Sequence, residues 1–107
     1  MSAIPAPPYP QGRNLVEDKV VVVTAAAGTG IGSATARRCL EEGARVVISD
    51  WHERRLGEKR DELAEEFGDR VHAITCDVTV EEQVQALLEG AAERYGRIDV
   101  LVNNAGL

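Results

Sequence analysis

The residues that decide the fold are Val20-Val21-Val22-Val23-Thr24-Ala25-Ala26-Ala27-Gly28-Thr29-Gly30-Ile31-Gly32. A short apolar run stops at Thr24, small residues follow with glycines at 28, 30 and 32, and a helical pattern then begins. Four consecutive valines read as a strand buried on both faces, the mark of a parallel sheet covered by helices on both sides. The glycines let the backbone approach a ligand closely and take dihedrals that other residues resist. The helix behind them presents unpaired N–H groups and a partial positive charge. Strand, tight turn and helix N-terminus together are the arrangement that holds a diphosphate.

Outward from this stretch, 107 residues allow one small domain. Twelve basic against 18 acidic residues give a net charge of −6 with no basic patch, which argues against a nucleic-acid or membrane-surface partner. No segment is long and apolar enough to span a bilayer, and the N-terminus lacks the apolar core of a secretory signal, so a cytoplasmic location is expected. Cys39 and Cys76 fit neither a zinc pattern nor a redox pair. Both are expected to be reduced, buried and apolar in role, and no metal site is expected.

Residues 1–14 hold all four prolines and Gly12. Proline has no N–H to donate, so this segment is expected as an extended arm ahead of one domain over residues 15–107. The arm is either a disordered tail or a strap on a neighbouring subunit. Strands are expected at 19–24, 45–49, 70–76 and 98–102, alternating with helices at 31–42, 51–67 and from 79 to Tyr95. In the first helix Ile31, Thr35, Cys39 and Gly43, with Ala36 and Leu40 beside them, form the apolar face, and Arg37, Arg38, Glu41 and Glu42 the polar one. Leu56, Leu63, Ala64 and Phe67 share a face of the second helix. Val80, Val84, Leu87, Leu88, Ala91 and Tyr95 form the stripe of the third, which opens on a Thr79–Glu82 capping box. Gly43, Gly68 and Gly96 close the three helices.

Alternating strands and helices with short connections predict an α/β fold with right-handed crossovers and a parallel sheet. If the sheet is doubly wound, its strand order is 3-2-1-4, with the first two helices on one face and the third on the other. The ligand crevice then lies at the carboxyl ends of strands 1 and 4, where Ala25–Gly30 and Asn103–Gly106 both fall. The glycines do not fit G-x-G-x-x-G, because Ser33 or Thr35 stands where the third glycine should be. No Lys-Ser/Thr pair follows them, so a nucleoside-triphosphatase phosphate loop is excluded as well. Asp50, twenty residues after Gly30 at the end of strand 2, matches the carboxylate that accepts hydrogen bonds from an adenosine ribose. Asp50 with Glu53 could instead cap the second helix, and both roles can hold together.

With these residues in place the sequence resembles the N-terminal half of a short-chain dehydrogenase/reductase. That family carries a threonine-glycine turn before Gly-Ile-Gly, an acid after strand 2, Asp-Val after strand 3 and Asn-Asn-Ala-Gly after strand 4. Here these are Thr24 with Gly30-Ile31-Gly32, Asp50, Asp77-Val78 and Asn103-Asn104-Ala105-Gly106, in the family's order. The resemblance implies a Rossmann-type sheet ending after strand 4, a partial dinucleotide-binding domain over 15–107. It implies that Gly28, Thr29, Gly30, Ile31 and Gly32 wrap the pyrophosphate and the neighbouring ribose. By the same resemblance Asp50 holds the adenine ribose, Asp77 and Val78 flank the adenine, and Asn104, Ala105 and Gly106 lie near the nicotinamide ribose. Asn103 would tie strand 4 to its neighbours. The acid at 50 implies NAD rather than NADP, since a 2′-phosphate would face a carboxylate. Two departures stand out: Ala25 replaces the family's first glycine, and the loop to Gly30 is one residue longer than usual.

The family's activity, hydride transfer between alcohols and ketones, needs a serine and a Tyr-x-x-x-Lys that follow the Asn-Asn-Ala-Gly motif. Tyr9 is followed four residues on by Arg13, and Tyr95 by Asp99, so no catalytic residue is assigned within this chain. Proton-transfer groups contribute orders of magnitude to such reactions. The chain is therefore expected to be the cofactor-binding half of an NAD(P)-dependent oxidoreductase. A carbonyl or alcohol substrate and a homo-oligomer belong to a longer form. The alternative is a non-catalytic NAD-binding fragment or truncated gene product. Residues 24–50 also resemble reductases related to 3-oxoacyl reductases, some of which act on CoA thioesters in steroid breakdown.

His52 and His72 have no partner at metal-ligand spacing and are expected on the surface or in loops. Trp51 either lies against the adenine or packs at the surface. Residues 53–66 read as a solvated helix face in which Arg55 and Lys59 offset the Glu58–Glu62 repulsion. Strand 4 would be an open apolar edge, so the isolated chain is expected to be marginal or aggregation-prone.

Overall fold

The computed structural model describes residues 4–106. The valine run forms β1 (Val20–Val23), and all four side chains are buried. After it come α1 (Ile31–Glu41), β2 (Arg45–Asp50), α2 (Glu53–Phe67), a single 3-10 turn (Gly68–Arg70), β3 (Val71–Thr75), α3 (Glu81–Tyr95) and β4 (Val100–Val102). The four strands make one sheet in the order β3-β2-β1-β4. Every pairing is parallel: Val21 sits opposite Val46 and Val100, and Asp50 opposite Thr75. This is the doubly wound order expected from the βα alternation.

Period-2 geometry sends alternate valines to opposite faces. Val21, Val23, Val46 and Ile48 pack under α1 and α2 with Ala36, Leu40, Leu56 and Leu63. Val22 and Val47 pack under α3 with Cys76, Leu87 and Ala91. Cys39 is half-buried and Cys76 buried, both as free thiols.

Four expectations need correction. The face of α1 is turned by one residue: Gly32, Ala36 and Leu40 are the buried positions, and Ile31 is exposed. Glu42, expected on the polar face, is 4 % exposed. The reason is the N-terminal arm, which lies on α1 of its own chain. Arg38 donates to the carbonyls of Pro10 and Gln11, and Tyr9 Oη donates to Glu41. Glu42 Oε1 accepts the N–H groups of Arg13 and Leu15 at 2.6 and 3.2 Å, and Arg38 donates to its other oxygen. Gly12 makes this docking possible, since a Cβ there would stand 2.2 Å from the Glu41 carbonyl oxygen.

Third, the Thr79–Glu82 capping box does not form. Val80 is the N-cap of α3 without a side-chain bond, and Thr79 turns back to the Asp77 carboxylate. Fourth, α2 starts at Glu53, because His52 Nδ1 accepts the Arg55 N–H and caps it.

The lower end of the sheet is closed by arginines. Arg70 donates to the carbonyls of Leu40 and Ala44 at the C-terminus of α1, where a cation is favoured. Asp99 accepts the Val20 N–H at 2.9 Å and pairs with Arg97. Those contacts hold its carboxyl below the usual range, the Val20 bond foremost.

Candidate functional site

The carboxyl ends of the strands open on a cleft of about 360 Å³. It lies where the chain reverses between β1 and β4, the crevice position of doubly wound sheets. Thr24 and Ala25 after β1, Ser49, Asp50 and Trp51 at β2, Cys76 to Thr79 after β3, and Ala105 and Gly106 after β4 line it. One fold element after another therefore delivers its terminal residues to the same place.

The β1 end is built around Thr24. Its hydroxyl donates to the Val102 carbonyl and accepts the N–H groups of Asn104 and Ala105 at 3.0 Å each. This ties the loop after β4 to the end of β1. The tie was expected of Asn103, but Asn103 is exposed and its neighbour Asn104 makes it. The Asn104 side chain donates to the Ala25 carbonyl. A Cβ on Gly32 would come within 2.6 Å of both that carbonyl oxygen and the Asn104 amide nitrogen. Gly32 thus permits a close approach between protein segments. Ala25, in the place of the family's first glycine, takes φ +54°, the left-handed region that glycine occupies without strain.

Gly28 and Gly30 differ from Gly32. Neither has an atom within 4 Å of where a Cβ would stand, and neither has a positive φ. Nothing among the described residues requires glycine at these positions; Gly30 stands at the mouth of α1, and Gly28 with Thr29 lines a second hollow beside Arg55, Glu58, Lys59 and Glu62 of α2 rather than the cleft. Gly30 is the N-cap of α1 with no side-chain bond, and no acidic residue stands in the first turn. The positive end of this helix is therefore uncompensated by the chain, which suits a diphosphate.

Asp50 is positioned by backbone alone. One carboxylate oxygen accepts the Ala27 N–H at 3.2 Å and the other the His52 N–H at 3.1 Å. Each oxygen has a further lone pair. Of the two roles open to Asp50, the capping one falls to His52, and Asp50 instead clamps the glycine loop to the end of β2. Asp77 concentrates its bonds on one oxygen, which accepts both the N–H and the hydroxyl of Thr79 at 2.9 and 2.6 Å. The Thr79 hydroxyl and then its N–H hold the Asp77 carboxyl below the ordinary aspartate range. Asp77 is thus a fixed anion with one oxygen left to accept.

The cleft also holds residues that the motifs did not single out. Ser49 is 1 % exposed, and its hydroxyl has no hydrogen-bond partner among the described residues. A serine directly after the apolar run Val46-Val47-Ile48 and before Asp50 is its signal in the sequence. Cys76 lies beside it, and burial together with the Asp77 charge raises its thiol pKa. Among the described residues no three His, Cys, Asp or Glu side chains group as metal ligands. No described helix is long and apolar enough to cross a membrane.

A parallel sheet in this order, with a glycine turn, a free helix N-terminus and a clamped acid at the next strand, defines a dinucleotide-binding domain of the Rossmann class. The short chain dehydrogenase family model matches residues 19–107. The chain belongs to the short-chain dehydrogenase family. It is 63 % identical over 102 residues to the (5R,7aS)-5-hydroxy-7a-methyl-1-oxo-2,3,5,6,7,7a-hexahydro-1H-indene-carboxyl-CoA reductase of Mycobacterium tuberculosis, spanning 95 % of this chain and 39 % of that protein. A short chain dehydrogenase from Mycobacterium smegmatis superposes with a TM-score of 0.91 at 63 % identity, over 96 % of this chain and 43 % of that one. A Burkholderia phymatum relative solved with NAD (36 % identical, covering 85 % of this chain and 32 % of that one) and the L-sorbose reductase of Gluconobacter frateurii solved with NADPH (39 %, covering 86 % and 35 %) each give a TM-score of 0.80. The chain spans about two fifths of the length of these two mycobacterial relatives.

Proposed function

We propose that residues 15–107 form the nucleotide-binding part of an NAD-dependent oxidoreductase that interconverts an alcohol and a carbonyl. The observation that carries this reading is Gly30, which nothing among the described residues requires, at an α1 N-terminus with no acid in its first turn, in a loop that Asp50 clamps through the Ala27 N–H. The loop from Gly28 through Thr29, Gly30 and Ile31 would hold the diphosphate, with Gly32 setting its seat. Asp50 would accept the hydroxyls of the adenosine ribose through its remaining lone pairs. Asp77 and Val78 would flank the adenine. Asn104, Ala105 and Gly106, tethered through Thr24, would form the wall toward the nicotinamide ribose. The bound nicotinamide supplies the hydride acceptor or donor.

Asp50 favours NAD over NADP, because a 2′-phosphate would meet its carboxylate at close range. Asp50 has no ion-pair partner among the described residues to offset that repulsion. The substrate reading follows the 63 %-identical relative: a ring carbonyl or alcohol on a CoA thioester. Proton transfer to the substrate oxygen is assigned to residues outside 1–107, since the sequence contains no Tyr-x-x-x-Lys. A homo-oligomer in the cytoplasm is the form proposed for the whole protein. Calorimetric titration of the full chain tests the reading. NAD should bind and NADP should bind at least about tenfold more weakly. A folded sample that binds neither overturns it.

A further inference from the structure

We infer that residues 4–15 form a strap on the C-terminal turn of α1, latched by the Glu42 carboxylate, and that acid opens this strap while the sheet and its helices stay folded. The inference is independent of the nucleotide-binding reading above. The family match begins at residue 19, past the strap.

The strap buries no apolar side chain. Residues 4–15 are all exposed, Ile4 and Leu15 included. The first apolar side chain to pack on the core is that of Val16. Hydrophobic burial, the dominant favourable term in folding, is therefore missing here. The contacts that replace it converge on three residues of α1. Arg38 donates to the carbonyls of Pro10 and Gln11, and its guanidinium stands 5.6 Å from the centre of the Tyr9 ring. The Tyr9 hydroxyl donates to Glu41 at 2.6 Å. Glu42 takes the N–H groups of Arg13 and Leu15 on one oxygen and Arg38 on the other. The Glu42 side chain is 6 % exposed, so water cannot replace these donors while the strap is shut.

Glu42 is the latch because its charge holds strap and helix together. Ionised, it accepts all three donors. Protonated, it loses the ion pair with Arg38 and the charge-assisted N–H bonds. The groups around it are Arg38 and Glu41 on its own helix and Tyr9 and Arg13 on the strap. Glu17 and Asp18 meet Gly43, and Arg70 the Ala44 carbonyl, just beyond it. The Arg13 N–H foremost holds the Glu42 carboxyl below the ordinary glutamate range, against the effect of burial. A carboxyl shifted downward stabilises the shut strap above the open-state value, about pH 4.3, and that stability is lost as pH falls through the lower value. The hinge adjoins the latch. Asn14 takes φ +57°, and after it the N–H groups of Val16 and Asp18 donate to the carbonyls of Glu42 and Gly43. Those backbone bonds do not depend on the carboxylate, so opening stops at Val16. The latch lies at the opposite end of α1 from Gly30, so opening leaves the cleft in place.

The test compares the full chain with its Gly12→Ala and Glu42→Gln variants, by amide NMR against pH and by trypsin cleavage after Arg13 at neutral pH. Gly12→Ala lifts the strap by sterics, since a Cβ there would stand 2.2 Å from the Glu41 carbonyl oxygen, and Glu42→Gln lifts it by charge. In wild type the Arg13 and Leu15 amides should move together as pH falls below about 4.3, to the positions they hold in Gly12→Ala. The amides of Val21, Val22 and Val23 should stay fixed over the same range. At neutral pH both variants should be cut after Arg13 about tenfold faster than wild type, with the amides of Asp50 and Asp77 unmoved. Arg13 and Leu15 amides that move only when those of Val21 to Val23 do overturn the inference, because the strap is then part of the cooperative fold. Acid positions that differ from those in Gly12→Ala also overturn it, since Glu42 then titrates without opening. Cleavage after Arg13 as fast in wild type as in the variants overturns it, because the strap is then not latched. Loss of the folded sheet in either variant does so as well.

Discussion

The two ends of the sheet use carboxylates in opposite ways. At the lower end Glu42 accepts two backbone N–H groups and an arginine, and Asp99 accepts one N–H and an arginine. At the upper end Asp50 and Asp77 also accept backbone N–H groups, yet neither pairs with a cation among the described residues. All four are anchored, but only the lower two are neutralised. Neutralised carboxylates hold segments together: the arm on α1, and the entry of β1 beside β4. The unneutralised ones keep their charge and free acceptor lone pairs at the cleft. Glycines divide along related lines. Gly12 and Gly32 are needed by protein contacts, whereas Gly28 and Gly30 face open space.

The largest expected effect comes from blurring that second division. Gly32→Ala places a methyl group against the Ala25 carbonyl and the Asn104 amide, and overpacking of this kind costs about 2 kcal/mol. Thermal unfolding should fall by about 10 °C. Gly30→Ala should leave Tm nearly unchanged while weakening NAD. Equal Tm losses in the two variants would erase the distinction. Next, Asp50→Asn removes the charge while keeping the shape. NAD affinity should drop about 10- to 100-fold, as for lost charge-assisted hydrogen bonds, and the preference over NADP should narrow. A preference that stays fixed would show that Asp50 does not read the ribose.

Glu42→Gln tests the lower end, and its signature is a pH dependence. The Arg13 N–H foremost, with the Leu15 N–H and Arg38, holds the Glu42 carboxyl below the ordinary glutamate range. A depressed folded pKa contributes stability that is present above the unfolded value, about pH 4.3, and is lost as pH falls through the folded value. Tm of Glu42→Gln should therefore sit below wild type by a constant amount near neutrality, and the gap should close only in acid below about pH 4.3. NAD affinity should be untouched. A gap that is independent of pH throughout would show that Glu42 acts through packing rather than charge. The smallest effect is expected at Ala25→Gly, where relief of the left-handed conformation is set against glycine's greater chain entropy. A net gain of up to about 1 kcal/mol should appear as a small rise in Tm.

Most of the framework was legible because it depends on patterns that survive without tertiary knowledge. The buried valines announced a two-sided sheet, glycines closed the helices, and Thr24, Asp50 and Asp77, at or just past the ends of the first three strands, reached the cleft. The misread positions have two causes: Glu42 and the face of α1 depend on segments distant in sequence, and Thr79 on a local competition for its hydroxyl. Glu42 looks like any polar residue at the end of α1 until the arm, about 30 residues earlier, covers it. Thr79 reads as a cap until Asp77 takes its hydroxyl. The buried stripe of α1 runs through Gly32 rather than Ile31, and Gly32 faces Asn104, more than 70 residues away in sequence.

The amino-acid sequence by itself determined the element order, the parallel sheet and the end of the sheet at which a dinucleotide would bind. Periodicity and turn chemistry are local, and the connection rules leave few topologies open. The tertiary structure decided which acids are neutralised, which glycines are spoken for, and that Trp51 stands uncovered beside the cleft. Those are questions of neighbours, and the neighbours of a residue are set by packing across the whole chain rather than by the residues on either side of it.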